Sequence, residues 1–505
     1  MPTSKRAHGL LASTFLAATM AVATPPSYSE TPANDTAKPT GSALTNPELN
    51  QASVNDQVKH LLRVMQMISA MHFDKEKSTD VAETIKNAIN GMLKELDPHS
   101  IYMDKKETDE FREKMSGGFA GIGISFGIKN EKIVIEEVLE NSPAEKAGIK
   151  AGDVIVKVDD LILGAMKSPE DMDPAVKKMR GDAGTTVKID FLREGNPISF
   201  NITRDIVRND VVSAVIDGDI GYIKVRQFSS MDCKMENRIK RVCGDKDTFH
   251  DFQKAIRKIQ AEAGDRLAGY VVNLENDPGG DLETATKMLN LILDGGTITS
   301  VKARNPSDSL TYVAEPGDMM KGKKLVVMMN GRSASASEIF AGAVQDNRRG
   351  IIVGTQSFGK GSVQIIAPLP YGDSLKVTIA QYYTPSGASI QGRGITPDIE
   401  YVPVNEDEKA FYASMPKESK LEHTLAAGGP AADTTNRTTH TCTPTSENPP
   451  TAGLDKHLTF SFRGEDRVNA SLACAIRILR GSGYEDLVKV EPKPATAAPA
   501  LVPGS

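Results

Sequence analysis

The chain has 505 residues and a formal net charge of −6, with 60 lysines and arginines against 66 aspartates and glutamates. A chain of this length is expected to form two to four domains. Its 39 % hydrophobic and 25 % charged residues are typical of a globular protein with a sizeable core. With only four cysteines it is not a disulfide-framework protein, and its acidic balance argues against nucleic-acid binding.

The N-terminus predicts export. Lys5 and Arg6 precede an apolar run over residues 9–23 that ends in an Ala-Val-Ala sequence, which is typical of a secretory signal spanning residues 1–23. An uncleaved membrane anchor is the alternative interpretation. No later segment is long and apolar enough to span a bilayer, so we expect an exported, periplasmic protein whose membrane association is at most peripheral.

The cysteines leave two interpretations open. In an exported protein Cys233 could pair with Cys243 across a short loop, and Cys442 with Cys474. Free thiols are the alternative, because the connectivity cannot be deduced from the sequence.

The first half of the chain predicts a disordered linker over residues 24–50, a helical domain over 51–115 and a compact α+β domain over 116–205. The α+β domain follows from short strands of period two around a brief helix. Asp97-Pro98 ends the preceding helix, since the residue before a proline disfavours the α conformation. That helix carries one apolar stripe at three- and four-residue spacing, formed by Val81, Ile85, Ala88, Ile89, Met92, Leu93 and Leu96.

Residues 206–403 predict a third domain, of the α/β class. Near-continuous apolar strands alternate there with amphipathic helices, which favours a mainly parallel, helix-covered sheet. Residues 228–263 are charged and look inserted. Residues 404–505 predict a largely low-complexity tail with one helix near 466–480. The strands are expected at 267–274, 325–329 and 351–353, and the helices at 282–293 and 336–348.

The strongest local feature is the serine-rich segment 330–339, between a predicted buried strand and a helix. Loops at the carboxyl ends of parallel strands are where ligands bind. Ser335 would lie at the N-terminus of the helix, where N–H groups and the dipole stabilise an oxyanion. The alternative, which this segment alone favours, is that its serines only cap the helix.

A nucleophilic serine needs a base, and none of the eight histidines lies between residues 251 and 422. His99 or His250 would have to reach in from elsewhere. Lys360 is the candidate instead, if burial lowers its pKa by about 3 units toward the working pH. Phe358 could cover the amine and Gln364 could orient it. The alternative is an exposed lysine in a glycine turn, and a P-loop is excluded because glycine, not Ser or Thr, follows Lys360.

Two glycine-bearing turns complete the candidate features. The turn at 276–280 has the same topological position as the Ser335 loop and could present backbone N–H groups to an oxyanion. The turn at 121–124 opens the α+β domain and could hold a terminal carboxylate beside a strand edge. The sequence carries no metal signature and no dinucleotide-binding glycine motif, so neither a metal nor a cofactor is expected.

Six motifs together resemble the carboxyl-terminal processing (tail-specific) peptidases, which are serine endopeptidases with a PDZ domain and a Ser/Lys dyad. The resemblance runs from about residue 55 to 400, with a weaker similarity at 466–481. A single match would be unspecific, but six in the right order and spacing are specific. The motifs are Leu96-Asp97-Pro98-His99-Ser100, Phe119-Ala120-Gly121-Ile122-Gly123, residues 142–153, 276–280 and 333–339, and Phe358-Gly359-Lys360-Gly361-Ser362-Val363-Gln364.

The resemblance implies a role for each matching residue. Ser335 would be the nucleophile and Lys360, 25 residues on, the general base. Gln364 would orient the base, and Asp346 matches a further position that supports activity. The oxyanion hole would come from the backbone of Ala336 and of Gly279 or Gly280. The substrate's C-terminal carboxylate would be held by Gly121, Ile122, Gly123 and Ile124.

The resemblance also implies a fold and partners. We expect a ClpP/crotonase-like core, protein or peptide substrates with accessible C-termini, and cleavage through an acyl-enzyme. An adaptor protein and a homo-oligomer are left open, as is the alternative of a non-catalytic PDZ adaptor or chaperone on the same scaffold. One departure is Asn273-Leu274-Glu275, where the family commonly has Asp-Leu-Arg, so the charge beside the site changes.

Overall fold

The computed structural model describes most of the chain from residue 51 onward, in two units that divide between Thr84 and Ile85. The predicted signal segment and the predicted linker lie outside the described residues. Among the described residues, no helix is both long and apolar enough to cross a bilayer. The described residues are 51–76, 80–115, 118–139, 142–166, 168–208, 211–230, 233–236, 240–243, 247–403, 405–431, 440–443, 468–481 and 484.

The N-terminal region is largely helical, as its sequence pattern predicts. Asp97 forms the turn after the second helix, because its carboxylate accepts the backbone N–H groups of His99 and Ser100 at 2.8 and 2.9 Å. A short strand then joins a sheet of the third domain. The elements are α1 (Gln51–Met71), α2 (Val81–Lys94), β1 (Ile101–Met103) and α3 (Lys105–Met115).

The α+β domain is an antiparallel sheet in the order β3-β4-β5-β7-β8, with β6 beside β5 and β2 paired to β9. Ser142 caps the short helix by accepting the N–H of Glu145 at 3.1 Å. Alternate residues of β7 are fully buried, as the period-two pattern predicts. The elements are β2 (Gly118–Gly121), β3 (Ile124–Lys129), β4 (Lys132–Val138), α4 (Pro143–Ala147), β5 (Val154–Val158), β6 (Leu161–Ile162), α5 (Asp173–Met179), β7 (Thr186–Arg193), β8 (Asn196–Thr203) and β9 (Asp205–Arg208).

The third domain is built from two larger sheets and a hairpin. Its elements are β10 (Val212–Asp217), β11 (Ile220–Val225), β12 (Cys233–Glu236), β13 (Lys240–Cys243), α6 (Thr248–Ala263), β14 (Gly269–Asn273), α7 (Leu282–Asn290), β15 (Thr297–Ala303), β16 (Leu310–Val313), β17 (Lys324–Met329), α8 (Ala336–Asp346), β18 (Ile351–Gly354), β19 (Ser362–Pro368), β20 (Ser374–Tyr383), β21 (Ile399–Tyr401), α9 (Glu406–Ala413), β22 (His440–Cys442) and α10 (Val468–Arg480).

The larger sheet has seven strands in the order β10-β11-β14-β17-β18-β21-β22. Only the pair β10–β11 is antiparallel, and the other five pairings are parallel. Its central strands read as continuous apolar runs because both faces are covered. Val327 packs in a cluster with residues of α6, α7 and α8, whereas Val326 packs with residues of α10.

The smaller sheet is antiparallel. β20 pairs with β19 along one edge and with β1 and β15 along the other, and β16 extends the sheet from β15. The sequence analysis did not predict this second sheet, because β1, the pair β15–β16 and the pair β19–β20 come from three distant parts of the chain and meet only in the folded protein. The domain is therefore of the α/β class with mixed sheets.

The predicted insertion at 228–263 needs correction at its C-terminal end. α6 belongs to the core, because Phe252, Ile256 and Ile259 are buried on the sheet, and the helix connects the parallel strands β11 and β14. Only the hairpin β12–β13 stands apart as a two-stranded sheet. Cys233 lies opposite Cys243 in its ladder, but the side chains of both lie outside the described residues.

The predicted tail also needs correction, because parts of it belong to the fold. β22 extends the seven-stranded sheet, and a disulfide joins its Cys442 to Cys474 of α10. α10 begins at Val468 and ends at Arg480, close to the predicted helix. Its apolar side chains, such as Leu472 and Leu479, are buried against the sheet.

Candidate active site

Three loops meet at one edge of the seven-stranded sheet. The turn 276–280 follows β14, the Ser335 loop follows β17, and the Lys360 loop follows β18. These strands are parallel neighbours, so their carboxyl ends lie side by side. The topology therefore gathers the three features that the sequence singled out at the edge where α/β sheets bind ligands.

Ser335 lies at the N-terminus of α8 in a strained backbone conformation. Its φ of 57° and ψ of −115° fall in a sparsely populated region for a residue with a side chain. Such a conformation costs on the order of 1–3 kcal/mol and persists only where neighbours hold it. The residue is half-buried, at the helix end where N–H groups and the dipole favour negative charge.

One buried carboxylate, that of Glu338, holds the Ser335 loop and the Lys360 loop together. Its Oε2 accepts the backbone N–H groups of Ser335 and Lys360 at 2.8 and 2.9 Å. Its Oε1 accepts the hydroxyl of Ser357 at 2.5 Å and the N–H of Gly359 at 2.6 Å. Burial raises the pKa of Glu338 to about 7. The four hydrogen-bond donors oppose this rise, because they stabilise the charged carboxylate.

The sequence analysis did not assign a role to Glu338, although the sequence carries a signal for it. Ser335 and Glu338 form a Ser-x-x-Glu pattern, in which the glutamate reaches back to the N-cap N–H of a helix. That pattern predicts the bond to Ser335. The bonds to the Lys360 loop depend on the tertiary structure.

Lys360 has the lowered pKa that a general base requires. Burial is the largest cause, the positive charge of Lys376 adds to it, and the carboxylates of Glu418, Glu338 and Asp97 oppose it. The resulting pKa is about 8, against an ordinary value of 10.5. On this pKa about one amine in ten is neutral at pH 7, whereas the ordinary value leaves roughly one in a few thousand.

The turn 276–280 packs directly on the Ser335 loop. Gly279 has a φ of +89°, and a Cβ there would lie 2.4 Å from the carbonyl oxygen of Ala334 and 2.8 Å from the backbone nitrogen of Ala336. The N–H of Ala334 and the hydroxyl of Ser337 both donate to the carbonyl oxygen of Asp277, at 3.0 Å each. Only glycine permits this approach.

The same contacts distinguish between the two glycines proposed for the oxyanion hole. The N–H of Gly279 is already bonded to Oδ1 of Asp277 at 2.8 Å. The N–H groups of Gly280 and Ala336 have no acceptor among the described residues. Of the two glycines, Gly280 is therefore the one whose N–H group lacks an acceptor among the described residues, and an oxyanion hole at this place stays a prediction.

Two sequence-predicted site residues form no hydrogen bond with the amine of Lys360 among the described residues. The side-chain nitrogen of Gln364 donates to the hydroxyls of Ser362 and Thr378, at 2.9 and 3.2 Å, and no hydrogen bond to Lys360 occurs among the described residues. Asp346 ends α8, about 16 Å along the helix from its N-terminus. Its Oδ2 accepts the N–H of Ser386 at 3.0 Å. Any influence of Asp346 on Ser335 would be indirect.

The tail supplies a second carboxylate, Glu418, that the sequence analysis did not assign. Glu418 is fully buried, and its N–H donates to the carbonyl oxygen of Phe358 at 3.0 Å. Gln391 bridges it to the Lys360 loop, donating to Oε1 of Glu418 at 2.8 Å and accepting the N–H of Gly361 at 2.9 Å. His99, the only histidine in this network among the described residues, lies 2.9 Å from Oε2 of Glu418.

Tyr382 is a further buried side chain, and it lies beside Ser335. Burial raises the pKa of its phenol well above the usual value, and the side chain of Ser335 opposes this rise. The hydroxyl therefore stays protonated. The sequence analysis did not identify Tyr382, because it belongs to none of the motifs and lies in β20, a strand of the smaller sheet.

The family departure at Glu275 is accommodated inside the protein. Its side chain is buried and accepts the hydroxyl of Ser471, on α10, at 3.1 Å. Burial raises the pKa of the Glu275 carboxyl, and the nearby Lys224 opposes this. Lys224 is half-buried, and its amine donates to the backbone carbonyl oxygen of Glu275 at 2.5 Å.

The glycine turn of the α+β domain is held from both sides. The carbonyl oxygens of Ile122 and Gly123 accept the N–H groups of Ala144 and Leu139 at 2.8 and 3.1 Å. Gly123 has a φ of +81°, and a Cβ there would lie 2.3 Å from that of Ser142. The turn, which runs from Gly121 to Ile124, leads into β3, whose pairing among the described strands is with β4 alone. Carboxylate binding at this turn stays a prediction.

Comparisons with known proteins identify the family of this chain. The profile of Peptidase family S41 matches residues 219–401, and that of the PDZ domain matches residues 120–203. A carboxy-terminal-processing protease of Bartonella bacilliformis is 44 % identical over 323 residues, covering 63 % of this chain and 70 % of the relative. A probable CtpA-like serine protease of Staphylococcus haemolyticus is 32 % identical over 345 residues, covering 68 % of this chain and 65 % of the relative.

Among solved structures, the photosystem II D1 C-terminal processing protease is similar to this chain. It is 24 % identical with a TM-score of 0.39, and the similarity covers 70 % of this chain and 93 % of that one. The identity to the Bartonella bacilliformis relative and its coverage carry the assignment. The chain therefore belongs to the carboxy-terminal-processing serine proteases of peptidase family S41 and carries their PDZ domain.

Proposed function

We propose that this chain is a serine endopeptidase in which Ser335 is the nucleophile and Lys360 the general base. The observation that carries the proposal is the shared acceptor: the backbone N–H groups of both residues donate to one oxygen of Glu338. A strained serine and an amine of lowered pKa are thereby held in adjacent loops. This combination suits nucleophilic catalysis by a Ser/Lys dyad.

The proposed reaction has two halves. The neutral amine of Lys360 takes the proton from the hydroxyl of Ser335 as the oxygen attacks the peptide carbonyl, and the N–H groups of Ala336 and Gly280 stabilise the oxyanion. The ammonium then gives its proton to the leaving nitrogen, which leaves an acyl-enzyme. A water molecule, deprotonated by the same amine, attacks the ester carbonyl; the bond to the oxygen of Ser335 breaks as the ammonium returns the proton to that oxygen, and the acid is released. No cofactor enters these steps.

We propose further that the PDZ domain binds the C-terminus of the substrate at residues 121–124, and that the chain is exported to the periplasm. The secretory pattern of residues 1–23 and the disulfide of Cys442 with Cys474 support export, since disulfides persist in oxidising compartments. The five parallel pairings of the large sheet support a ClpP/crotonase-like core. The proposal requires neither an adaptor protein nor a second copy.

The proposed function is tested with the mature chain, from residue 24, and an unfolded polypeptide prepared with a free or an amidated C-terminus. We expect fragments from both, and faster cleavage of the free acid, because its carboxylate can bind the PDZ domain. Intact polypeptide in both reactions would favour the non-catalytic adaptor or chaperone. Equal rates would contradict C-terminal recognition and leave the dyad in place.

The pH dependence should follow the protonation of Lys360. The base must be neutral, so kcat/KM should rise with pH along a limb centred near its pKa of about 8. Lys376→Met removes a positive charge that lowers this pKa and should move the limb to higher pH. Glu418→Gln removes a negative charge that raises it and should move the limb to lower pH.

The measurement is kcat/KM between about pH 6 and 10 for the three proteins, with thermal unfolding to show that each is folded. The opposite signs of the two shifts separate an electrostatic effect from a general loss of structure. A limb that stays in place in both variants would argue against Lys360 as the base.

A further inference from the structure

We infer that the outer edge of β19 is a docking site for an extended segment of the substrate polypeptide, which adds to the sheet as a strand. The inference rests on the proposed function, because it concerns the substrate polypeptide that Ser335 would cleave. The ligand is recognised by its main-chain N–H and C=O groups, so the site takes polypeptide in an extended conformation with little demand on sequence.

The first support is that one edge of β19 is unpaired among the described strands. Among the described strands β19 pairs only with β20, and β20 uses its other edge for β1 and β15. Apart from that ladder, no backbone hydrogen bond of residues 362–368 occurs among the described residues. Within the part of the chain that the structure describes, the groups on the far side of β19 therefore have no backbone partner, as at an edge that can accept another strand.

The register identifies which groups face outward. Gln364 lies opposite Thr378, whose N–H turns away from β19 and donates to the hydroxyl of Ser100 at 3.1 Å. Gln364 and Thr378 are therefore a non-hydrogen-bonded pair, in which the N–H and C=O of Gln364 also point outward. The alternation of an antiparallel ladder gives Ile366 the same orientation, since it lies two residues further on.

The second support is that β19 carries no charged side chain along its edge, although a bulge interrupts its ladder with β20 between Val363 and Gln364. Proteins normally block such an edge with charged side chains, a bulge or proline. Residues 362–367 contain no charged residue, and Pro368 comes only at the end of the strand. Ile365 and Ile366 are 37 % and 38 % exposed, so apolar surface accompanies the unpaired backbone.

The third support is continuity with the candidate active site. β19 begins two residues after Lys360. Hydrogen bonds fix the backbone before the strand: Glu338 accepts the N–H of Lys360, and Gln391, which itself donates to Glu418, accepts the N–H of Gly361. Adjacent strands lie about 4.8 Å apart and rise about 3.3 Å per residue. A peptide paired with Gln364 and Ile366 would therefore reach the Lys360 loop within about six residues. This continuity favours a substrate over a second copy of the chain, which would occupy the catalytic edge permanently.

The test compares Ile366→Pro with Ile366→Ala. Proline removes the outward N–H of residue 366 without removing a bond of the β19–β20 ladder, whereas alanine shortens the side chain and keeps the N–H. Both are made in the Ser335→Ala background, so that binding is measured without turnover. The probe is a fluorescent extended peptide of about twelve residues, amidated so that it lacks the carboxylate expected to bind the PDZ domain.

We expect Ile366→Pro to weaken binding of this peptide by about fivefold to tenfold and Ile366→Ala by about twofold, because one lost hydrogen bond corresponds to such a factor. Equal affinities of the two variants would overturn the inference. A dimer of the parent protein that Ile366→Pro dissociates, seen by sedimentation, would also overturn it in favour of a second copy.

A second measurement needs no change in the protein and decides the matter if Ile366→Pro does not fold. The peptide is N-methylated at every second residue, in either of two frames. Only one frame can face β19, so we expect one methylated peptide to lose at least about fivefold in affinity and the other to bind nearly normally. Equal binding of the two frames would overturn the inference.

These results separate the docking site from the catalytic proposal. Frame-dependent binding without cleavage by the unsubstituted chain would retain the site and refute the peptidase mechanism. Cleavage without frame dependence would retain the mechanism and refute the docking site.

Discussion

Ser335→Ala should abolish peptide cleavage and leave the fold intact. The alanine removes the attacking hydroxyl, while Glu338 still accepts the backbone N–H of residue 335 and still binds the Lys360 loop. We expect kcat to fall by at least about 10³-fold, the scale at which nucleophile removal acts in serine hydrolases. The measurement is the rate of fragment formation from an unfolded polypeptide, with circular dichroism to check the fold.

The matched control for this variant is Ser307→Ala. Ser307 is exposed, in a segment remote in sequence from the three loops of the site, and should retain the parent rate. Cleavage by Ser335→Ala at close to the parent rate would refute its role as nucleophile. A similar loss in Ser307→Ala would show that the assay responds to something other than the hydroxyl at 335.

Lys360→Arg should also lose peptide-cleaving activity, as Ser335→Ala does. A guanidinium keeps its proton at any accessible pH, so it cannot accept one from the hydroxyl of Ser335. Removal of a positioned base costs about 10²–10⁴-fold in rate. The measurement is kcat/KM across the alkaline range, where the parent enzyme becomes more active as its own amine loses a proton and Lys360→Arg should not.

Lys360→Met and Lys254→Arg complete this test. Burial lowers the pKa of Lys360, so the folded state disfavours its charged form, and folding is penalised at pH values below the ordinary pKa of 10.5. Lys360→Met should therefore be inactive yet at least as stable as the parent at neutral pH. Lys254 is exposed on α6, and Lys254→Arg should behave like the parent. Activity in Lys360→Met would exclude a general base at this position.

Local patterns predicted much of the architecture. The apolar stripe of α2, the period-two strands of the PDZ domain and the buried strands β14, β17 and β18 were all expected near their observed positions. These signals are local, because a helix or strand needs its apolar residues at a fixed spacing along the chain. The same analysis misjudged α6, which is charged on one face but buries the other, and it underrated the tail.

The site divides in the same way. Ser335, Lys360 and the turn 276–280 could be proposed from short motifs, and parallel pairing then predicts that the loops after their strands meet. The sequence could not show which of Gly279 and Gly280 has an N–H group without an acceptor. This depends on whether the carboxylate of Asp277 already accepts one of them. The sequence also could not show that the side-chain amide of Gln364 donates to the hydroxyls of Ser362 and Thr378, with no hydrogen bond to the amine of Lys360 among the described residues.

The sequence by itself therefore determined the local features of this protein. These are the periodicity of its helices and strands, a helix-capping pattern, and a serine and a lysine in loops that follow neighbouring strands. Only the folded chain shows that Glu338 binds both loops and that the charge of Glu418, from a segment with no recognisable motif, acts on the pKa of Lys360. The reason is that a pKa and a hydrogen-bond network depend on which groups share a desolvated space. That sharing arises from packing between segments far apart in the chain, which no local pattern encodes.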